Sequence, residues 1–65
     1  MNEYRRQQIR DEIRERLVRI VGQQRVNLTE IAADISERQG NDVPLKQYQD
    51  MTRIEADFLG VEYLP

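Results

Sequence analysis

NDVPLKQYQDMTRIEADF, residues 41–58, decides how this chain divides into helices. Pro44 suits the first turn of a helix, where its missing N–H costs nothing. Leu45 and Tyr48 then supply a turn and a half of apolar face. Inside the same stretch, Thr52 is followed three residues later by Glu55, the T-x-x-E pattern of a capping box. Met51 and Ala56 flank that pattern where a hydrophobic staple would place them. The spacing predicts two helices, residues 44–50 and 52–59, with Ile54, Ala56, Phe58 and Leu59 turned partly inward. Gly60 ends the second, and Val61, Tyr63 and Leu64 form a tail expected to pack back on the core.

Upstream the periodicity is plainer. Ile9, Ile13, Leu17, Ile20 and Val21 fall on one stripe of a helix over residues 3–21, with Gly22 as its stop. Arg, Gln and Glu fill the other face. Glu12–Arg16 and Glu15–Arg19 stand at i,i+4 in the favourable order. Asn27, with Glu30 three residues on, reads as the cap of a second helix over residues 28–39, carrying Leu28, Ile31, Ala32 and Ile35 inward. Gly40-Asn41-Asp42 is turn chemistry. The connection between the first two helices is so short that they must run antiparallel. The expected fold is all-α: a single domain over residues 1–65, a three- to four-helix bundle.

Composition narrows the function classes. A chain of 65 residues has a marginal core and depends on staples, a partner or regular helices. Cys and His are both absent, which removes disulfides, thiolate metal sites and the commonest general base. Ser36 is the only serine and has no base to activate it. No phosphate-binding glycine motif or calcium loop is present. These absences predict a protein that is not an enzyme and uses no cofactor or metal. No apolar run reaches the roughly 18 residues of a membrane span, and the N-terminus lacks a secretory apolar region. A soluble cytoplasmic protein without a membrane partner is expected.

Charge is unevenly placed. Residues 1–25 hold seven Arg against four acids, and residues 26–65 hold three basic residues against eight acids. An Arg-rich first helix offers Arg5, Arg6, Arg10 and Arg14 as nucleic-acid contacts. NLTEIAADISERQG, residues 27–40, resembles the first helix of a helix-turn-helix motif. The helix after it, however, would set Lys46 and Arg53 against Asp50, Glu55 and Asp57, a balance that opposes phosphate binding.

Over most of its length the chain resembles the acyl and peptidyl carrier proteins. The resemblance lies in EIRERLVRIVGQQ (residues 12–24), in the aliphatic–proline pair Val43-Pro44 before a short helix, and in the Thr-led start Thr52-Arg53-Ile54 of a further helix. It implies a four-helix carrier-like bundle whose second helix docks on partner proteins. Two departures matter. The family's attachment serine for phosphopantetheine falls near Arg25, and the long first loop is reduced to about QQRVN, residues 23–27. Such a chain would lack the arm and the thioester chemistry.

The expected function is therefore a non-catalytic interaction module that docks on a protein partner. Its candidate contacts are the acidic edge Glu30, Asp34 and Glu37, and Tyr63. The alternative is a small regulatory DNA-binding protein using the Arg-rich helix. A homodimer is a further possibility for so small a core.

Overall fold

The computed structural model describes residues 2–20 and 25–64. They form three helices: α1 (Glu3–Arg19), α2 (Leu28–Arg38) and α3 (Leu45–Leu59). The all-α expectation holds, and the first two helices match their expected ranges to within about two residues. The expected continuation of α1 to Val21 and its stop at Gly22 lie outside the described residues.

The predicted break at Thr52 does not occur. Residues 45–59 are one helix, not two. Thr52 is fully buried, and its hydroxyl donates to the Tyr48 carbonyl one turn back at 2.7 Å. That local bond satisfies the hydroxyl without releasing the backbone from the helix. Glu55, the other half of the supposed box, points across to Arg14 of α1. The sequence pattern of a cap is present, but tertiary partners use both of its polar groups. The short third and Thr-led fourth helices implied by the carrier resemblance are thus a single element.

Each true helix start has its own device. Asn2 accepts from the Arg5 amide at 2.7 Å, and Asn27 accepts from the Thr29 and Glu30 amides. Pro44 sits at the N-cap of α3 with extended backbone, one residue before the first turn. The ends of α2 and α3 are Schellman closures. Gly40 and Gly60 have φ of +88° and +72°, and the Asn41 and Val61 amides reach back to the Ser36 and Ala56 carbonyls at 2.9 Å.

Ion pairs give the order of packing. Arg16 of α1 meets Asp34 of α2, and Glu12 meets Arg38, so α1 and α2 run antiparallel. Arg5 meets Asp42 just before α3, and Arg14 meets Glu55 within it, so α1 and α3 run parallel. The expected Glu15–Arg19 pair forms at 2.5 Å. The expected Glu12–Arg16 pair does not, because both side chains find partners on α2.

The core is a single cluster of Ile9, Ile13, Leu17, Leu28, Ala32, Ile35, Tyr48 and Ala56. Tyr48 is fully buried, and its hydroxyl donates to Asp42 Oδ1 at 3.2 Å while accepting from Arg5 at 3.3 Å. Burial, then the bond to Asp42, raise the Tyr48 pKa. Arg5 also donates to Asp42 Oδ1 at 2.7 Å, and its bonds hold the Asp42 pKa down at about 2. This polar cluster closes one end of the bundle. The tail closes the other: the Val26 amide donates to the Glu62 carbonyl and the Leu64 amide to the Val26 carbonyl, a parallel bridge between Val26 and Tyr63. The expectation that the tail packs back is met.

Candidate docking face between α1 and α3

The core stripe of α1 is Ile9, Ile13 and Leu17. One flank of that stripe, Arg5, Glu12 and Arg16, is engaged with α2 and the loop before α3. The other flank, Arg6, Arg10 and Arg14, rises at i+4 steps beside α3. In an unbroken α3, Tyr48, Thr52, Glu55 and Ala56 face the core. Gln47, Met51, Ile54 and Phe58 then fall on the neighbouring strip by the same 3.6-residue geometry. Arg6, Arg10, Gln47, Asp50, Met51, Ile54 and Glu55 line an open groove of about 300 Å³.

Ile54 and Phe58 are 60% and 74% exposed, and Met51 is half-buried between them and the core. The expected inward turn of Ile54 and Phe58 is therefore corrected. It depended on restarting the helix at Thr52; with one continuous helix the inward positions are Thr52, Glu55, Ala56 and, in part, Leu59. The face could have been found by extending the Tyr48 phase through the proposed break.

The arginines of this flank of α1 are of two kinds. Arg14 Nε donates to Glu55 Oε2 at 2.6 Å, and its guanidinium carbon lies 5.1 Å from the Phe58 ring centroid. The bond to Glu55 raises the Arg14 pKa. Phe58 is thus steadied from below while its outer face stays open. Arg6 and Arg10 have no carboxylate within ion-pair distance among the described residues. Arg10 Nε is shielded from solvent and meets no acceptor there. A buried donor left without an acceptor is uncommon and costly.

The candidate contacts from the sequence separate into different places. Glu30 and Glu37 are exposed on α2. Asp34, between them in the row, is held by Arg16 of α1 and by Arg38 at 3.6 Å. Its Oδ2 is enclosed in ion-pair contact without hydrogen-bond alignment. The acidic edge is neutralised at its centre. Tyr63 lies at the far end, half-buried, donating to Asp57 at 2.8 Å, a bond that raises its pKa. It lines a second open depression of about 710 Å³ with Lys46, Gln49, Asp50, Arg53 and Leu64. Of the proposed nucleic-acid row, Arg5 and Arg14 are engaged by Asp42 and Glu55, leaving Arg6 and Arg10.

Ser36 is buried, its hydroxyl donating to Asn41 at 3.2 Å. Among the described residues no three metal-ligating side chains gather, and no helix is long and apolar enough to cross a membrane. The chain matches no family model, no curated protein and no solved structure.

Proposed function

We propose that the chain is a non-catalytic protein-interaction module that docks on a protein partner through the α1/α3 face. The observation that carries this reading is the exposed pair Ile54 and Phe58, one turn apart beside the groove. Large apolar side chains grouped at a groove, with Arg at its wall, are the composition of an interface centre. Scattered exposed apolar residues elsewhere need no such account. The carrier resemblance of the sequence, with its Val43-Pro44-Leu45 lead into α3, supports a docking role on this reading. The chain then serves as a scaffold without an arm.

The face is favoured over the acidic edge of α2 because Asp34 is already paired within the molecule. It is favoured over duplex binding because two of the four Arg named for that role are tied to carboxylates. Two remaining Arg give a weak electrostatic footprint compared with the roughly six to ten phosphate contacts of a typical DNA-binding surface.

Site-specific photo-crosslinking in producing cells tests the reading. A photoreactive residue at position 54 or 58 is expected to capture a discrete protein, while one at position 30 or 37 on the exposed edge of α2 does not. Equal capture from all four positions, or capture of nucleic acid in place of protein, would contradict it.

A further inference from the structure

We infer that the occupant of the α1/α3 groove is an acidic amphipathic helix of a partner protein. This rests on the α1/α3 face being the docking surface, and it names the chemistry that the face selects. Met51, Ile54 and Phe58 at i, i+3 and i+7 form a strip that an apolar helix stripe can cover with anchors of the same spacing. One wall beside the strip carries Arg6 and Arg10, neither of them paired with an acid among the described residues. Arg10 Nε meets no acceptor in the free chain, so this guanidinium carries no carboxylate of its own and a partner's acid would supply one. The opposite wall carries neutral Gln47 and Asp50, whose carboxylate lies 3.7 Å from Arg53. The groove is therefore polarised across its width. A helix whose acids lie on one flank fits in one orientation, with that flank toward α1.

A second copy of the chain fits less well. On α1 the exposed Tyr4 and Val18 flank Asp11 but stand 14 positions apart, too wide for the i, i+3, i+7 strip. The other large exposed apolar residues, Leu45, Ile54, Phe58 and Leu64, lie outside α2, whose exposed face carries Glu30 and Glu37. Among the described residues, that face does not join exposed large apolar anchors to those acids.

The probe is a displayed library of helical peptides of about 18 residues, roughly five turns. Leu and Phe are fixed on one stripe, and the flanking positions vary among Glu, Gln and Lys. Panned on the full chain, the library is expected to enrich peptides with Glu on one flank. The selected peptides should shift the Arg10 Nε–H resonance. The R6Q/R10Q double variant should bind them at least about tenfold more weakly and lose the Glu preference. Arg10→Lys, which keeps the charge, should retain the preference for Glu over Lys. Enrichment of Gln or Lys peptides, or a Glu preference unchanged in R6Q/R10Q, overturns the acidic-helix inference while leaving the docking face standing, provided that the I54S/F58S variant loses binding. Peptides that bind I54S/F58S as well as the parent, or no enrichment at all, overturn both. A Phe58-dependent dimer in sedimentation assigns the groove to a second copy and also overturns the inference.

Discussion

Arg14 Nε and Glu55 Oε2 are 2.6 Å apart, joining α1 to a carboxylate that is only 3% exposed as a residue. The pair sets the separation of the two groove walls and orients Arg14 over Phe58. A carboxylate so enclosed needs its partner, because removing one member leaves a desolvated charge. Arg14→Gln should therefore lower the melting temperature by roughly 5 °C or more. Arg19→Gln, which breaks an exposed i,i+4 pair with Glu15, should stay within about 2 °C. Thermal melts of the two variants side by side decide it; equal shifts would remove Arg14–Glu55 from its structural role.

Thr52 separates the one-helix and two-helix accounts. A capping threonine loses about 1 kcal/mol on removal of its hydroxyl. A buried hydroxyl that only returns to the Tyr48 carbonyl loses little when replaced by a methyl, since that carbonyl keeps its helical partner. Thr52→Val should change stability by less than about 0.5 kcal/mol in urea denaturation. A loss of 1 kcal/mol or more would restore the cap.

Acid should weaken the fold through Asp42. Its pKa falls from the ordinary 3.8 to about 2 in the folded chain, chiefly through the hydrogen bond from Arg5. A carboxyl with a lowered folded pKa contributes stability above its unfolded value, and that contribution disappears as pH falls through the folded value. The expected window is therefore between pH 3.8 and about 2. Melting curves across that window should show a decline that is smaller in Asp42→Asn.

Gly40 and Gly60 close their helices at positive φ, and a Cβ at either would meet nothing within 4 Å. Backbone strain alone then sets the cost of a side chain. Each Gly→Ala variant should lose about 1 kcal/mol. A neutral result at either position would mean that the left-handed closure is absent there.

The chain wrote its first half legibly. The stripe Ile9, Ile13, Leu17 and the Asn27 cap were readable because their periodicity and capping chemistry agree with the packing. Residues 41–58 misled because Thr52 and Glu55 have the identities of a capping box and find other partners in space, Tyr48 one turn back and Arg14 on another helix. Helix phase depends on that distinction, so the same misreading turned Ile54 and Phe58 inward. The acidic row Glu30, Asp34 and Glu37 was visible as a row; the pairing of Asp34 with Arg16 was not, since their contact joins residues 18 positions apart in sequence.

The most direct test of the docking face is the I54S/F58S variant, followed by chemical denaturation and by binding of the photo-captured protein. If the two side chains serve an interface, stability should fall by no more than about 1 kcal/mol, the scale of an exposed site and one cation–π contact, while binding is lost. A stability loss well beyond that, or undiminished binding, would contradict the account and return Ile54 and Phe58 to the core.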